Sequence, residues 1–313
     1  MMLHCLLVAK FGNLSILNEF ADIFYNEPKE YLTILNHELD KGLSYPKARE
    51  NAILFYLNDI RRYSNILSSP NNILAIEYLK SIKKYKSKIL PITVKRIGTG
   101  YNDMDANGRF ASATAIRNLL KNNNDIRRLV PKESFNILSS NIKYGKTITG
   151  INAFEKEIIF TLRKMNIDEI ANLQDVCEGL ENSIKNAANS CNNLEDLINN
   201  IKSKRYTRSR IQRILLYALL NITKKDIQDS YKIKPYIRVL GISERGKNLL
   251  SEMSNKKFKY PVITSVKKFV DTNSNKTLEA MLSKDILASN IYTLGYEYDS
   301  KANLDYTKKL IIV

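Results

Sequence analysis

The sequence predicts an α/β fold that gives way to helices and then to a small mixed region. Three observations carry that prediction. Between residues 12 and 130, helix-like apolar spacing alternates with a short β-branched run, the pattern of a parallel sheet with helical crossovers. From about residue 145, amphipathic helical stretches follow one another with polar connections. Beyond residue 232, short helical and extended pieces mix. The expected regions are therefore 1–140, 141–232 and 233–313, and 313 residues suffice for two or three domains with their own cores.

The elements can be justified in order. The opening MMLHCLLVA is apolar but lacks the basic flank and cleavage site of a secretion signal, so it reads as a buried segment of the first domain. NLSILNEFA (13–21) spaces its apolar residues as a short helix, and Pro28 opens another that Gly42 can close. Residues 46–66 give a third helix, and PNNILAIEYLKSIKKYKS gives a fourth, with Pro70 and Asn71 at its entrance. Lys80, Lys83, Lys84, Lys86 and Lys88 recur along it as a solvated face would. KILPITVKRI (88–97) is short and β-branched, a buried strand. GTGYNDMDANG (98–108) is loop, and residues 112–122 form the next helix. NAFEKEIIFTLRKM, NLEDLINNIKSK and SRIQRILLYALLNI are the amphipathic helices of the second region. YIRVLGIS (236–243) reads as a strand, and the tail of short helices and extended pieces ends in the β-branched KKLIIV. The chain has no internal repeat and no long low-complexity linker.

Composition narrows the partners. Hydrophobic residues make up 44% and charged residues 26%, as in a globular protein, and the net charge is +17 with a pI near 9.5. Such an excess points to a polyanion, nucleic acid or an anionic membrane face, unless AT-rich coding alone enriches Lys, Asn and Ile. The longest clean apolar run in the interior, ILLYALL (214–220), is too short to span a bilayer. Cys5, Cys177 and Cys191 show no CxxC spacing, which disfavours a zinc site or disulfide framework and suits a reducing cytoplasm. His4 and His37 are the only histidines, so a mechanism built on several neighbouring imidazoles is starved.

Two stretches carry chemistry. In RFASATAIRNLLKNN (109–123), Ser112 is placed to cap a helix, Thr114 lies in its first turn and Arg117 follows. Backbone N–H groups, hydroxyls and a guanidinium make an anion site, though an ordinary capped helix would look the same. The cluster IKSKRYTRSRIQR (201–213) holds Lys202, Lys204, Arg205, Arg208, Arg210 and Arg213, and no acidic residue occurs between Asp196 and Asp226. Ile211, Ile214, Leu215, Ala218 and Ile222 form one stripe, with Arg210, Arg213 and Tyr217 on the far side. A basic face bearing an aromatic ring suits an RNA backbone with an occasional stacked base. DMDANG (103–108) imitates a calcium loop, but Thr114 stands where the bidentate glutamate is needed, so Asp-Asn-Gly reads as a turn.

Taken together, these pieces resemble the bacterial tRNA(Met) cytidine acetate ligases. The matching segments are LSILNE (14–19), SSPNNILAIEYLK (68–80), KRIGTGYND (95–103), FASATAIR (110–117), EGLEN (178–182), IKSKRYTRSRIQRILLYALLN (201–221), PYIRVLG (235–241) and LDYTKKLIIV (304–313). The resemblance implies an incomplete Rossmann-like nucleotidyltransferase domain, then an α-helical RNA-binding region and a small mixed C-terminal part. It implies a cytoplasmic enzyme that uses ATP, with Mg²⁺ as its usual companion, to activate acetate as acetyl-adenylate. The wobble cytidine of elongator tRNA(Met) then becomes N4-acetylcytidine. On matching positions, Asn71, Arg96, Ser112, Thr114 and Arg117 are expected at ATP, and Lys204, Arg205, Arg208, Arg210 and Arg213 at tRNA. No catalytic residue or metal site is assigned.

The departures set further expectations. The family's HxGH loop, whose histidines stabilise charge on the α-phosphate, has no counterpart here, and the match begins at LSILNE. A first βα unit is therefore expected to be missing, through a start placed too far downstream, a decayed or split gene, or supply by another chain, leaving a sheet edge and part of a core exposed. Tyr25 aligns with a family glycine and is expected to crowd a nucleotide, and Asn102 replaces a histidine. The competing readings are a tRNA-binding remnant without chemistry and, more remotely, an unrelated basic adenylyltransferase acting on a small molecule.

Overall fold

The computed structural model describes residues 4–9, 13–95, 111–146, 149–177, 179–203, 206–255 and 258–313. They divide into two compact units, Met1–Phe135 and Asn136–Val313. The first unit contains β1 (His4–Ala9), α1 (Leu14–Asn26), α2 (Lys29–Asp40), α3 (Tyr45–Leu57), α4 (Ile60–Tyr63), α5 (Pro70–Lys84), β2 (Leu90–Lys95) and α6 (Ala113–Lys121), and α7 (Lys132–Lys143) spans the division. The opening apolar segment is a strand. β1 pairs in parallel with β2 from His4 opposite Leu90 to Ala9 opposite Lys95. Leu7 is buried in the core with residues of α1–α5, whereas Leu6 and its partner Ile92 on the other face are 63% and 42% exposed.

Local chemistry explains the helix limits. The Asn13 side chain accepts from the N–H groups of Ser15 (3.0 Å) and Ile16 (3.4 Å), which fixes the start of α1. The helix outruns the predicted stretch because its apolar stripe continues through Ile23 and Phe24, and it ends at Glu27 with φ 44°. The single helix expected over 46–66 is two. Asn58, at φ 51°, closes α3, and the Asp59 carboxylate caps α4 by accepting from Arg62 N–H at 3.0 Å. Leu17, Phe20, Tyr63, Ile76 and Leu79 lie in one core, where the Phe20 ring sits 5.7 Å from Tyr63 and 6.0 Å from Phe24. The lysine face of α5 is more than solvated, since Lys83 reaches Asp22 of α1 at 2.7 Å and Lys80 reaches Glu77 at 3.0 Å.

The second unit begins with a 3₁₀ turn, Ile151–Phe154, then α8 (Glu155–Lys164), α9 (Ile167–Ala171), α10 (Leu180–Ser190), α11 (Leu194–Ile201), α12 (Arg208–Leu220) and α13 (Lys224–Tyr231). One core runs through it from Phe154 to Ala218. Two cations lock α8 and α10 end to end. Arg163 of α8 donates to the carbonyls of Ala188 and Cys191 at 2.8 Å each, closing α10. Lys185 of α10 donates to the carbonyls of Leu162, Arg163 and Met165 at 3.2, 2.7 and 2.6 Å, closing α8.

The chain continues through β3 (Ile237–Arg238), β4 (Gly241–Ile242), α14 (Glu244–Asn255), β5 (Val262–Ile263), α15 (Val266–Thr272), α16 (Lys276–Leu294), α17 (Leu304–Thr307) and β6 (Ile311–Ile312). YIRVLGIS is therefore not one strand, because β3 pairs with β5 and β4 with β6, both in parallel. The tail is also less fragmentary than its sequence implies. Asn275 caps the 19-residue α16, which buries Leu278, Leu282 and Ile286 along one side. Gly145 (φ 75°) leaves room for Tyr298, whose ring carbon would lie 2.3 Å from any Cβ placed there.

Candidate functional site

Strand direction decides where the nucleotide-side candidates lie. α1 starts just after β1, across residues 10–13, and α5 ends just before β2, across residues 85–89. Since β1 and β2 are parallel, both helices run against the strands. Their N-termini therefore meet the carboxyl ends of the strands, the edge where open α/β sheets bind ligands. Asn71 is in the first turn of α5 at that edge. Its neighbour Asn72 is fully buried and donates from Nδ2 to the Ile66 carbonyl at 3.0 Å, which holds the entering turn in place. No acidic residue occupies the first turn of α5, so no built-in carboxylate faces its N–H groups.

Arg96 follows the last residue of β2 and lies outside the described residues, as do the loop 98–108, DMDANG and Asn102. Past this gap Ser112 opens α6, buried, with its Oγ accepting from Ala115 N–H at 3.0 Å. Thr114 is half-buried in the first turn and Arg117 is exposed one turn further on, with no acidic residue between. The capped helix read from sequence is present, with its hydroxyls and guanidinium on one short span.

Tyr25 lies away from the start of α5. It is in the last turn of α1, beyond Asp22, which pairs with Lys83 near the far end of α5. Twelve helical residues, about 18 Å, separate Lys83 from Asn71.

The basic cluster also differs from its sequence reading. Lys204 and Arg205 lie outside the described residues. Arg208 forms a bidentate pair with Glu195 of α11, at 2.6 and 2.5 Å, and holds that carboxyl below its ordinary range. Arg213 grips Asp175 Oδ2 through Nε (2.9 Å) and Nη2 (2.8 Å). Arg210 donates to the Asp175 carbonyl at 2.7 Å and stands 5.2 Å over the Tyr206 ring. A thirty-residue stretch without acid is thus not a face without acid, because Asp175 and Glu195 arrive from other elements. Arg208 and Arg213 still keep 42% and 53% of their side chains in solvent. The apolar stripe is as read, with Ile211, Ile214, Leu215 and Ala218 buried.

Sequence reasoning missed Asn72, Asp175 and Glu195. Only Asn72 carried a local signal, a second amide next to the Pro70–Asn71 entrance. Near α13, burial works against ionisation of Asp226, but donation from Thr223 N–H and hydroxyl and the nearby Lys284 outweigh it and hold the carboxyl low. Among the described residues, no three His, Cys, Asp or Glu side chains gather to hold a metal, and no helix is long and apolar enough to cross a membrane.

Comparison with known proteins is consistent over nearly the whole chain. Residues 8–307 match the HIGH Nucleotidyl Transferase family. A tRNA(Met) cytidine acetate ligase of Caldanaerobacter subterraneus is 40% identical over 302 residues, covering 96% of this chain and 73% of its own length. The ligase of the same name from Acetivibrio thermocellus is 36% identical, with 96% and 75% covered. The crystal structure of apo Thermotoga maritima TmcAL superposes with a TM-score of 0.89 at 28% identity, over 99% of this chain and 77% of that one. Its form bound with alpha-thio ATP gives 0.85 over the same shares. With a mixed α/β first unit, a helical core and this similarity from end to end, the chain belongs to the HIGH nucleotidyl transferases and, within them, to the tRNA(Met) cytidine acetate ligase enzyme family.

Proposed function

We propose that the chain serves N4-acetylation of the wobble cytidine in elongator tRNA(Met) in the cytoplasm, with ATP and acetate as co-substrates. An acetate oxygen attacks the α-phosphorus of ATP, the bond to the β-phosphate oxygen breaks, and pyrophosphate leaves. The cytidine N4 amine then attacks the acetyl carbon, AMP leaves, and the amine loses a proton. Asn71 at the carboxyl edge of the strands and Arg96 just beyond β2 would bind the nucleotide. Ser112, Thr114 and Arg117 would face the triphosphate with the N–H groups of α6. Mg²⁺ would accompany the triphosphate.

The observation that carries this reading is 40% identity to a tRNA(Met) cytidine acetate ligase over 96% of the chain. The exposed parts of Arg208 and Arg213 support tRNA contact, with Asp175 and Glu195 holding the guanidinium planes rather than cancelling them. Lys204 and Arg205 belong to the same proposal.

The second reading, tRNA binding without adenylate chemistry, is favoured by one fact. These 313 residues contain no Gly-His pair, and only His4 and His37. The α-phosphate would then lack the histidine donors that the resemblance implies. Pyrophosphate release from ATP and acetate, followed by mass spectrometry of tRNA(Met) nucleosides, decides between the two. Background release with retained tRNA binding is the outcome expected of the chain acting alone. Robust release would show that other donors replace the histidines. Absence of tRNA binding would sink both readings.

A further inference from the structure

Neither the strand edge at Asn71 nor α12 involves the C-terminal part of the second unit, where two cavities adjoin. One, about 500 Å³, opens among Arg238, Leu240, Thr264, Lys308, Lys309 and Leu310. The other, about 620 Å³, is bounded by Leu250, Phe258, Tyr260, Val262, Thr264 and Leu310. They share Thr264, just past β5, and Leu310, just before β6, so the two cavities adjoin at the ends of these strands.

The lining carries positive charge. No acidic residue occurs between Glu252 and Asp271, a span with five lysines, and none follows Asp305. At α12 such a pattern was offset from elsewhere in the fold. Lys308 and Lys309 form no ion pair among the described residues, and the lining carboxylate, Asp305, is engaged by Arg238.

Aromatic surface accompanies the charge. Phe258 and Tyr260 flank Lys259 and are 45% and 40% exposed, with ring centroids 6.1 Å apart and planes tilted by 56°. Their tilt leaves each ring a separate face. Solvent-exposed rings beside a cavity lined by lysines match single-stranded nucleic acid, whose bases stack while its phosphates pair. A duplex keeps its bases stacked on one another and would gain little from them.

We propose that these adjoining cavities bind a single-stranded RNA segment, with bases on Phe258 and Tyr260 and phosphates on Lys308 and Lys309. The inference rests on the tRNA reading only for which RNA is bound, since a tRNA offers such segments in its loops and its end.

The test uses the full chain, a short fluorescent oligouridylate and, separately, a tRNA(Met) transcript, with affinity followed by anisotropy across a salt series. The double variant Phe258→Ala, Tyr260→Ala is expected to bind the oligonucleotide about 10-fold more weakly or worse with its salt slope unchanged. Tyr260→Phe should bind as the parent does. The double variant Lys308→Ala, Lys309→Ala should lower the slope by about 1.4, two phosphate contacts on a single strand. Melting temperatures confirm that each variant is folded. Parental affinity in both double variants would overturn the proposal. So would displacement of the oligonucleotide by poly-glutamate with the aromatic variant silent, which would mark an acidic-peptide site. If tRNA(Met) is acetylated while oligonucleotide binding ignores these variants, the RNA site fails and the ligase reading stands. If the oligonucleotide follows the expected pattern and tRNA(Met) is not bound, the RNA site stands and the ligase reading fails.

Discussion

Arg210 and Arg213 both reach Asp175, yet their removal has different consequences. Arg210 donates to a main-chain carbonyl and covers Tyr206, so Arg210→Ala leaves a half-buried acceptor unpaired. A loss of about 1–3 kcal/mol in urea unfolding is expected, and any fall in tRNA affinity would follow from the fold. Arg213 meets the Asp175 carboxylate with half its side chain in water, so Arg213→Ala should cost less than about 1 kcal/mol. If Arg213 also contacts phosphate, that variant lowers the salt slope of tRNA binding while the melting temperature barely moves. An unchanged slope would leave Arg213 a structural partner of Asp175. Tyr31 sets a pH limit on the first unit. Burial pushes its phenol up to about 12 against the opposing charge of Arg49, from an ordinary value of 10.0. A group whose pKa is raised by folding stabilises fully below its unfolded value and loses that contribution as pH rises through the folded one. Stability should therefore fall between pH 10 and about 12, and Tyr31→Phe should flatten that fall in tyrosinate-monitored unfolding.

At the level of elements, α6 offers a variant that separates anion binding from mere capping. A carboxylate in a first helical turn stabilises the helix by roughly 0.3–1 kcal/mol. Thr114→Glu should therefore keep or raise the melting temperature while repelling a triphosphate, seen as a weaker ATP affinity in calorimetry. Unchanged ATP affinity would reduce α6 to an ordinary capped helix. Asn72→Ala should do the opposite at α5, costing about 1–3 kcal/mol because the Ile66 carbonyl is left unpaired in a buried turn. Most helices were legible because their information is local: Asn13, Ser112 and Pro70 each mark a start beside an apolar stripe. The Asn58 break was not legible, since only the left-handed backbone there reveals that α3 stops. The split of 236–243 was equally hidden. Which residues of so short a run pair is decided by β5 and β6, which lie far along the chain. Of the site, Asn71 and the α6 residues were readable from local pattern. The partners of the arginines were not, because Asp175 is 35 residues from Arg210 and 38 from Arg213.

On the scale of the molecule, the +17 net charge and the bare side of the β1–β2 pair act against each other. Leu7 is buried in the core, whereas Leu6 and Ile92 are exposed. At low ionic strength, like charge holds molecules apart before these side chains can meet. Near 0.15 M salt the screening length falls to about 8 Å, short enough for close approach. The chain should therefore be monodisperse in dilute buffer and cluster reversibly as salt is added, the reverse of a protein that salts in. Light scattering on Ile92→Lys would check this, since one charge in that strand should restore colloidal stability at moderate salt without touching Asn71 or α6. Ionic strength then becomes a matter of handling as well as of RNA affinity: a salt titration must be run dilute, or turbidity will pass for lost binding.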